Sequence, residues 1–195
     1  MNDLDTAPAP VALDGIIRDT DRIGFAMASE RQTGSLLRAL AAAKPGGRFL
    51  ELGTGTGVGT AWLLDGMDRN AELDSIDNDP TVLDIARRHL GADRRVRFHL
   101  VDGTTFLRQS PTRRFDLIYA DAWPGKFTDL DVALSLLRDG GIYFIDDLLP
   151  QSNWPDGHAA KVQALIADLE RRDGFRATKL AWASGLMVLV KTDHL

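Results

Sequence analysis

Residues 49–60 read Phe-Leu-Glu-Leu-Gly-Thr-Gly-Thr-Gly-Val-Gly-Thr. A short apolar run that closes on an acid predicts a buried strand. Gly53, Gly55, Gly57 and Gly59 follow at alternate positions, and then comes the helix-compatible run Ala61-Trp62-Leu63-Leu64. Glycine lets the main chain turn sharply and lets a ligand lie against backbone atoms. The amides of the following helix face the same point. Glu51 adds a carboxylate to that crevice, so it suits a ligand with both a cationic and an anionic end.

Strand and helix signals alternate on both sides of this stretch. Residues 1–15 are mostly polar, with Pro8 and Pro10, and are expected as a mobile N-terminal tail. Residues 16–195 are long and apolar enough, with 44% hydrophobic residues in the chain, for a single well-cored domain. A short helix is expected over residues 18–28. Ser29-Glu30-Arg31-Gln32 then reads as a capping box opening a helix that buries Leu36, Leu37 and Leu40.

Beyond the glycines, a helix over residues 57–65 leads to a strand over 72–77. Asp79-Pro80 starts a helix that Gly91 ends. A third strand covers 96–101, followed by the turn Asp102-Gly103 and a short helix near 105–108. Strands at 115–121 and 141–145 bracket a helix at 128–137. A loop at 148–157 precedes an amphipathic helix at 158–171, and strands at 175–182 and 186–191 form a hairpin. The alternation predicts an α/β fold: a doubly wound, mostly parallel seven-stranded sheet with an antiparallel C-terminal strand.

The formal charge is -5, and no basic run interleaved with aromatics occurs, which argues against nucleic acid or an anionic membrane as a partner. Without cysteine there is no disulfide, thiolate metal site or catalytic thiol. A soluble, cytoplasmic protein is expected.

Ligands of an open α/β sheet sit at the carboxyl ends of its strands. Glu51, Asp77, Asp102, Asp121 and the pair Asp146-Asp147 stand there. Each alone is more often a cap or turn residue; five consecutive strand ends bearing acids point to a site. A dinucleotide fingerprint needs glycines at i, i+2 and i+5, and Val58 and Thr60 occupy the last position in the two possible frames. The phosphate-loop lysine is absent as well. What remains suits a nucleoside carrying an amino-acid end.

Glu51-Leu-Gly-Thr-Gly-Thr-Gly, with an acid ending the second strand, resembles the class I S-adenosylmethionine-dependent methyltransferases. Phe115-Asp-Leu-Ile-Tyr-Ala-Asp-Ala-Trp and Gly140-Gly-Ile-Tyr-Phe-Ile-Asp-Asp resemble the cation-dependent O-methyltransferases, the catechol and caffeoyl-CoA type. The resemblance covers about residues 27–147 and implies a Rossmann-like fold. It implies that Glu51, Gly53 and Gly55 hold the methionine part of S-adenosylmethionine and that Asp77 takes the ribose hydroxyls. Asn78 would touch adenine, and Asp102, Gly103 and Thr104 would line its edge. Asp121, Asp146 and Asp147 would bind Mg²⁺ or a similar divalent cation, with Asp121 also near the cofactor's ammonium.

The chain departs from this pattern in four places. Asp147 stands where the family has Asn, and Ala122 follows Asp121. Pro124-Gly125 separate Lys126, the candidate base, from Asp121. Gly59 occupies the usual place of a hydroxyl for the cofactor carboxylate, and Thr60 beside it is assigned that contact. The expected reaction is methyl transfer to an oxygen of a small-molecule acceptor, with phenols among the candidates and Asp121 and Lys126 as catalytic residues. Trp123 and Trp154 offer walls for a planar acceptor, and His158 reads as a cap of the last helix. A homodimer is expected by analogy. A metal-independent enzyme of the same fold and a cofactor-binding module without activity are the alternatives.

Overall fold

The computed structural model describes residues 8–152 and 154–192. Its elements run α1 (Leu13–Arg22), α2 (Arg31–Ala42), β1 (Arg48–Leu52), α3 (Val58–Gly66), β2 (Glu72–Asp77), α4 (Pro80–Leu90) and β3 (Val96–Leu100). They continue as α5 (Gly103–Arg108), β4 (Phe115–Ala120), α6 (Leu130–Ser135), β5 (Leu137–Ile145), α7 (His158–Glu170), β6 (Phe175–Leu180) and β7 (Leu186–Lys191). The seven strands form one sheet in the order β3-β2-β1-β4-β5-β7-β6. Only β7 is reversed; it pairs antiparallel with β5 and with β6. Among the described residues no helix is long and apolar enough to cross a membrane.

Strand periodicity divides the core in two. Phe49, Leu73, Leu117, Tyr119 and Phe144 pack with Leu13 and Ile16 of α1, Leu37 of α2 and Trp62 of α3. Leu50, Leu52, Ile76, Ile118, Tyr143 and Ile145 face the other way, onto α5, α6 and α7. The central strands β1, β4 and β5 are thus covered on both faces, which explains their nearly continuous apolar sequences.

Several local expectations are corrected. Residues 1–7 of the expected tail lie outside the described residues, and Leu13–Gly15 already belong to α1, because Leu13 and Ile16 are fully buried one helical turn apart. α1 ends at Arg22, so the helix expected over 18–28 sits earlier. The N-cap of α2 is Glu30 and makes no side-chain capping bond; the hydroxyl of Ser29 is used elsewhere. α6 is six residues long, and β5 opens at Leu137 through a register shift between Phe115 and Leu117. Asp79 caps α4 by accepting from the Thr81 amide at 2.7 Å, as the Asp-Pro signal predicts.

Candidate active site

The sheet register places Glu51 of β1 directly between Ser75 of β2 and Tyr119 of β4. Glu51 is fully buried. Its Oε2 accepts from Ser75 Oγ at 2.6 Å and from Thr60 Oγ1 at 2.5 Å. Its Oε1 is buried with no partner. Burial pushes this carboxyl up to about 8, against the pull of the two hydroxyls. Thr60 therefore serves Glu51, and its hydroxyl reaches the crevice only through that carboxylate.

Two glycines shape the space around it. Gly53 has φ 98°, and a Cβ there would lie 2.6 Å from the carbonyl oxygen of Asp121. At Gly59 a Cβ would lie 2.7 Å from Glu51 Oε1, 3.0 Å from the Tyr119 ring and 3.5 Å from Ser29 Oγ. A side chain at Gly59 would fill the ground where these three groups meet. An orphaned carboxyl oxygen beside a glycine cradle fits the amino-acid end of S-adenosylmethionine.

Gly55 donates its amide to Asp77 Oδ2 at 2.8 Å, and Asp79 donates to Oδ1 at 2.9 Å. Each oxygen of Asp77 retains a lone pair for a ribose hydroxyl. Asn78 is exposed beside it. Asp102 caps α5, accepting from the Thr105 amide at 3.0 Å, and Thr104 donates to Asp129 at 2.7 Å. Gly103 packs against Pro124. These three residues therefore hold the loop in place.

The ground beyond Glu51 centres on Tyr119, which is fully buried. Its hydroxyl lies 3.0 Å from Asp121 Oδ2, 3.2 Å from Asp146 Oδ2 and 3.0 Å from Ser29 Oγ. A phenol has one hydrogen, so both carboxylates are satisfied together only when one carries a proton. Burial favours that by raising both; Lys126 opposes the rise at Asp121, and the Ser184 hydroxyl opposes it at Asp146. Lys126 is 6% exposed, and its Nζ stands 3.3 Å from Asp121 Oδ1. It is a buried ion-pair partner rather than a solvated loop lysine.

The three expected metal ligands are wired differently from one another. Asp146 is 2% exposed; its Oδ1 accepts from Ser184 Oγ and from the Asp147 amide, and its Oδ2 from Tyr119. Asp121 is held by Tyr119 and Lys126, whereas Asp147 is exposed with φ 59°. No group of three His, Cys, Asp or Glu among the described residues can hold a metal ion. With both oxygens of Asp146 engaged by internal donors and Asp147 turned outward, these three acids do not form a ready Mg²⁺ site. Glu30, exposed just before α2, is raised by partial burial and then by the charges of Asp146 and Asp147.

Aromatic side chains flank this centre. Trp123 and Phe127 have ring centres 5.2 Å apart, and Trp154 lies 4.7 Å from His158. His158 does not cap α7: the N-cap is Gly157, without a side-chain bond, and His158 Nδ1 is buried unpartnered.

Sequence reasoning missed Ser29, Tyr119 and Ser184. Tyr119 was accessible, since it lies two residues before Asp121 and strand periodicity puts both on one face. Ser29 was concealed by a pattern that reads as a capping box.

A family model described as a methyltransferase domain matches residues 50–148. A Mycobacterium ulcerans protein named as a candidate O-methyltransferase is 33% identical over 120 residues, covering 57% of this chain and 52% of the relative. A Mycobacterium tuberculosis protein of similar name is 34% identical over 118 residues, again 57% and 52%. The matched region thus spans about half the length of these relatives. The fold is shared with an O-methyltransferase from Bacillus cereus solved with SAH, at TM-score 0.82 and 20% identity over 95% of this chain and 92% of that one. It is shared also with the O-methyltransferase TomG from Streptomyces achromogenes solved with SAM, at TM-score 0.80 and 22% identity over 93% and 90%.

Proposed function

We propose that this chain, which belongs to the methyltransferase-domain family, moves a methyl group from S-adenosylmethionine to an oxygen of a small planar acceptor. The observation that carries this reading is the buried, unpartnered Glu51 Oε1 beside the Gly59 cradle. A carboxyl oxygen in that position is set to receive an ammonium, and few ligands combine an amino-acid end with a nucleoside suited to Asp77. The solved relatives of this fold that carry SAM or SAH support the choice of ligand.

When bound, S-adenosylmethionine supplies an electrophilic methyl on a sulfonium, whose charge is consumed as the sulfur keeps the bonding pair. The chain's own residues do the rest. Glu51 and Asp121 orient the amino-acid end, Asp77 the ribose, and Asn78 with residues 102–104 the base. The acceptor oxygen loses its proton to the Asp121 carboxylate, whose position and charge Lys126 balances from 3.3 Å, a step that contributes on the order of 10²- to 10⁴-fold. Alignment of the two reacting atoms supplies most of the remainder. The wiring of Asp146 to Ser184 and Tyr119 supports a reaction carried by protein groups, so no step passes through a divalent cation. The acidic, cysteine-free composition supports a cytoplasmic setting.

Calorimetric titration of S-adenosylmethionine into the protein, with and without EDTA, is the direct test. Equal binding in both conditions is expected. An absence of heat in both would overturn the proposal.

A further inference from the structure

The amino end of the sheet, where the strands begin, carries a cleft of about 360 Å³. β1, β2 and β4 open there at Arg48, Glu72 and Phe115, so the cleft lies at the far end of the sheet from the strand-end acids. Strand register lays one charged row along it: Arg48 stands beside Glu72, and Asp74 beside Arg97. Arg113 and Arg114, just before β4, complete the rim. All four cations are arginines; among the described residues no lysine lines the cleft.

Two of these arginines are neutralised and two are not. Arg113 pairs with Asp74, a carboxylate only 7% exposed that also meets His99 Nε2 at 2.7 Å, and the Arg113 guanidinium lies 5.4 Å from the centre of the Phe106 ring. Arg97 pairs with Glu72 at 3.4 Å. Arg48 has no ion pair among the described residues. Asp116 accepts the Arg48 amide at 2.8 Å, but the Arg138 guanidinium takes that carboxylate at 3.0 and 3.1 Å. Arg114 donates only to carbonyls, those of Pro111 at 3.0 Å and Arg113 at 2.7 Å, both through Nη1. Its Nε and Nη2 and the whole Arg48 guanidinium are unclaimed. Solvated arginines on a convex surface would need no explanation. Here, in a chain of net charge -5, four arginines outnumber two acids on one concave site, and both acids are already spent. An open guanidinium fork matches a phosphoryl group bidentately.

We propose that this cleft binds linked phosphoryl groups, of the size of pyrophosphate, through Arg48 and Arg114, with Arg113 held beside them by Asp74 and Phe106. The shared chemistry is a phosphoryl chain, whether inorganic or the tail of a nucleotide. S-adenosylmethionine has no phosphate and a net positive charge, so this is a site separate from the glycine crevice. The inference does not rest on the proposed methyl transfer.

The test is calorimetric titration of pyrophosphate, UDP and sulfate into the full chain at low ionic strength in EDTA, with and without S-adenosylhomocysteine. Pyrophosphate is expected to bind at least about tenfold more tightly than sulfate, as one further charge-assisted contact provides, and to weaken as NaCl is added. S-adenosylhomocysteine should leave that affinity unchanged. Arg48→Gln and Arg114→Gln should each weaken pyrophosphate about tenfold, and Arg48→Lys, which keeps the charge without the fork, should recover part of the loss. Arg176→Gln, exposed on β6 and outside the cleft, alters net charge equally and should change nothing. Thermal melts check that each variant folds; should Arg114→Gln fail to fold for want of its carbonyl bonds, Arg48→Gln decides. UDP at least as tight as pyrophosphate supports a nucleotide tail, and weaker UDP supports an inorganic chain. No heat from pyrophosphate, equal affinity for sulfate, wild-type affinity in Arg48→Gln, or competition from S-adenosylhomocysteine would overturn the site. Pyrophosphate that binds where S-adenosylmethionine gives no heat would instead overturn the proposed reaction and leave this site standing.

Discussion

Replacing Glu51 by Gln should make the empty protein more stable and the cofactor complex weaker. The Glu51 carboxyl sits at about 8 in the fold against an ordinary 4.5, chiefly through burial. Below pH 4.5 it is neutral in both folded and unfolded chains. Between the two values the folded chain keeps a proton that the unfolded chain has released, so stability falls as pH rises, by about 1.4 kcal/mol per pH unit. By pH 8 the accumulated loss is on the order of 4 kcal/mol. Gln removes this dependence and still accepts from Ser75 and Thr60 through its carbonyl oxygen. Its amide then stands unpartnered where Oε1 was, at a cost of about 1–3 kcal/mol. The net gain at pH 8 is about 1–3 kcal/mol, or roughly 3–10 °C for a chain of this size. Binding of S-adenosylmethionine should weaken by about 10- to 100-fold, the worth of one hydrogen bond to a charged group. Wild-type Glu51 should also release a proton as the ammonium docks, so calorimetric heats at pH 7 should vary with the buffer's ionisation enthalpy, and those of Glu51→Gln should not. Melting curves from pH 5 to 8 and titrations in two buffers decide the matter. A variant less stable than wild type at pH 8, with unchanged affinity, would refute the reasoning.

Three further outcomes are expected. Lys126→Met should lower turnover by about 10²-fold or more while cofactor affinity holds, because Asp121 loses the cation that balances it as it takes the acceptor's proton; a steady-state assay with calorimetry beside it would show the split. Ser29→Ala should cost less than about 0.5 kcal/mol in chemical denaturation, against about 1 kcal/mol for a true helix cap, and should reduce turnover several-fold by loosening Tyr119. Turnover should survive EDTA; activity lost to EDTA and restored by Mg²⁺ would show that Asp146 can be freed from Ser184 and Tyr119.

The parts of this fold that could be read from the sequence are those fixed by local rules. β2 was expected over residues 72–77 and spans Glu72–Asp77, and the Asp79-Pro80 start of α4 followed from capping alone. Strand periodicity also separates Phe49 and Glu51 from Leu50 and Leu52. What escaped was set by pairing across strands. The hydroxyl of Ser29 satisfies Tyr119, 90 residues away, in preference to its own helix. Asp146 and Asp147 are neighbours in sequence, yet one is buried and hydrogen-bonded inside and the other faces out, because the chain turns through positive φ at Asp147. The three acids that suggest a metal are therefore adjacent to the site without converging on a point.

The reversal of β7 has a consequence in time. Because β7 runs against its neighbours, the turn before it reaches the same end of the sheet as the strand-end acids. There Leu148 donates to Gly185 at 2.9 Å, Leu149 donates to Ser184 at 2.8 Å, and Ser184 supplies the hydroxyl on Asp146, 38 residues earlier. A nascent chain growing at about 5–20 residues per second exposes the glycine crevice and its parallel strands before this hairpin exists. The crevice around Glu51 and the glycines is synthesised first, and the surroundings of Asp146 are completed only when the hairpin docks. A chain caught between those moments would have its glycine crevice formed while Asp146 still lacked the Ser184 hydroxyl.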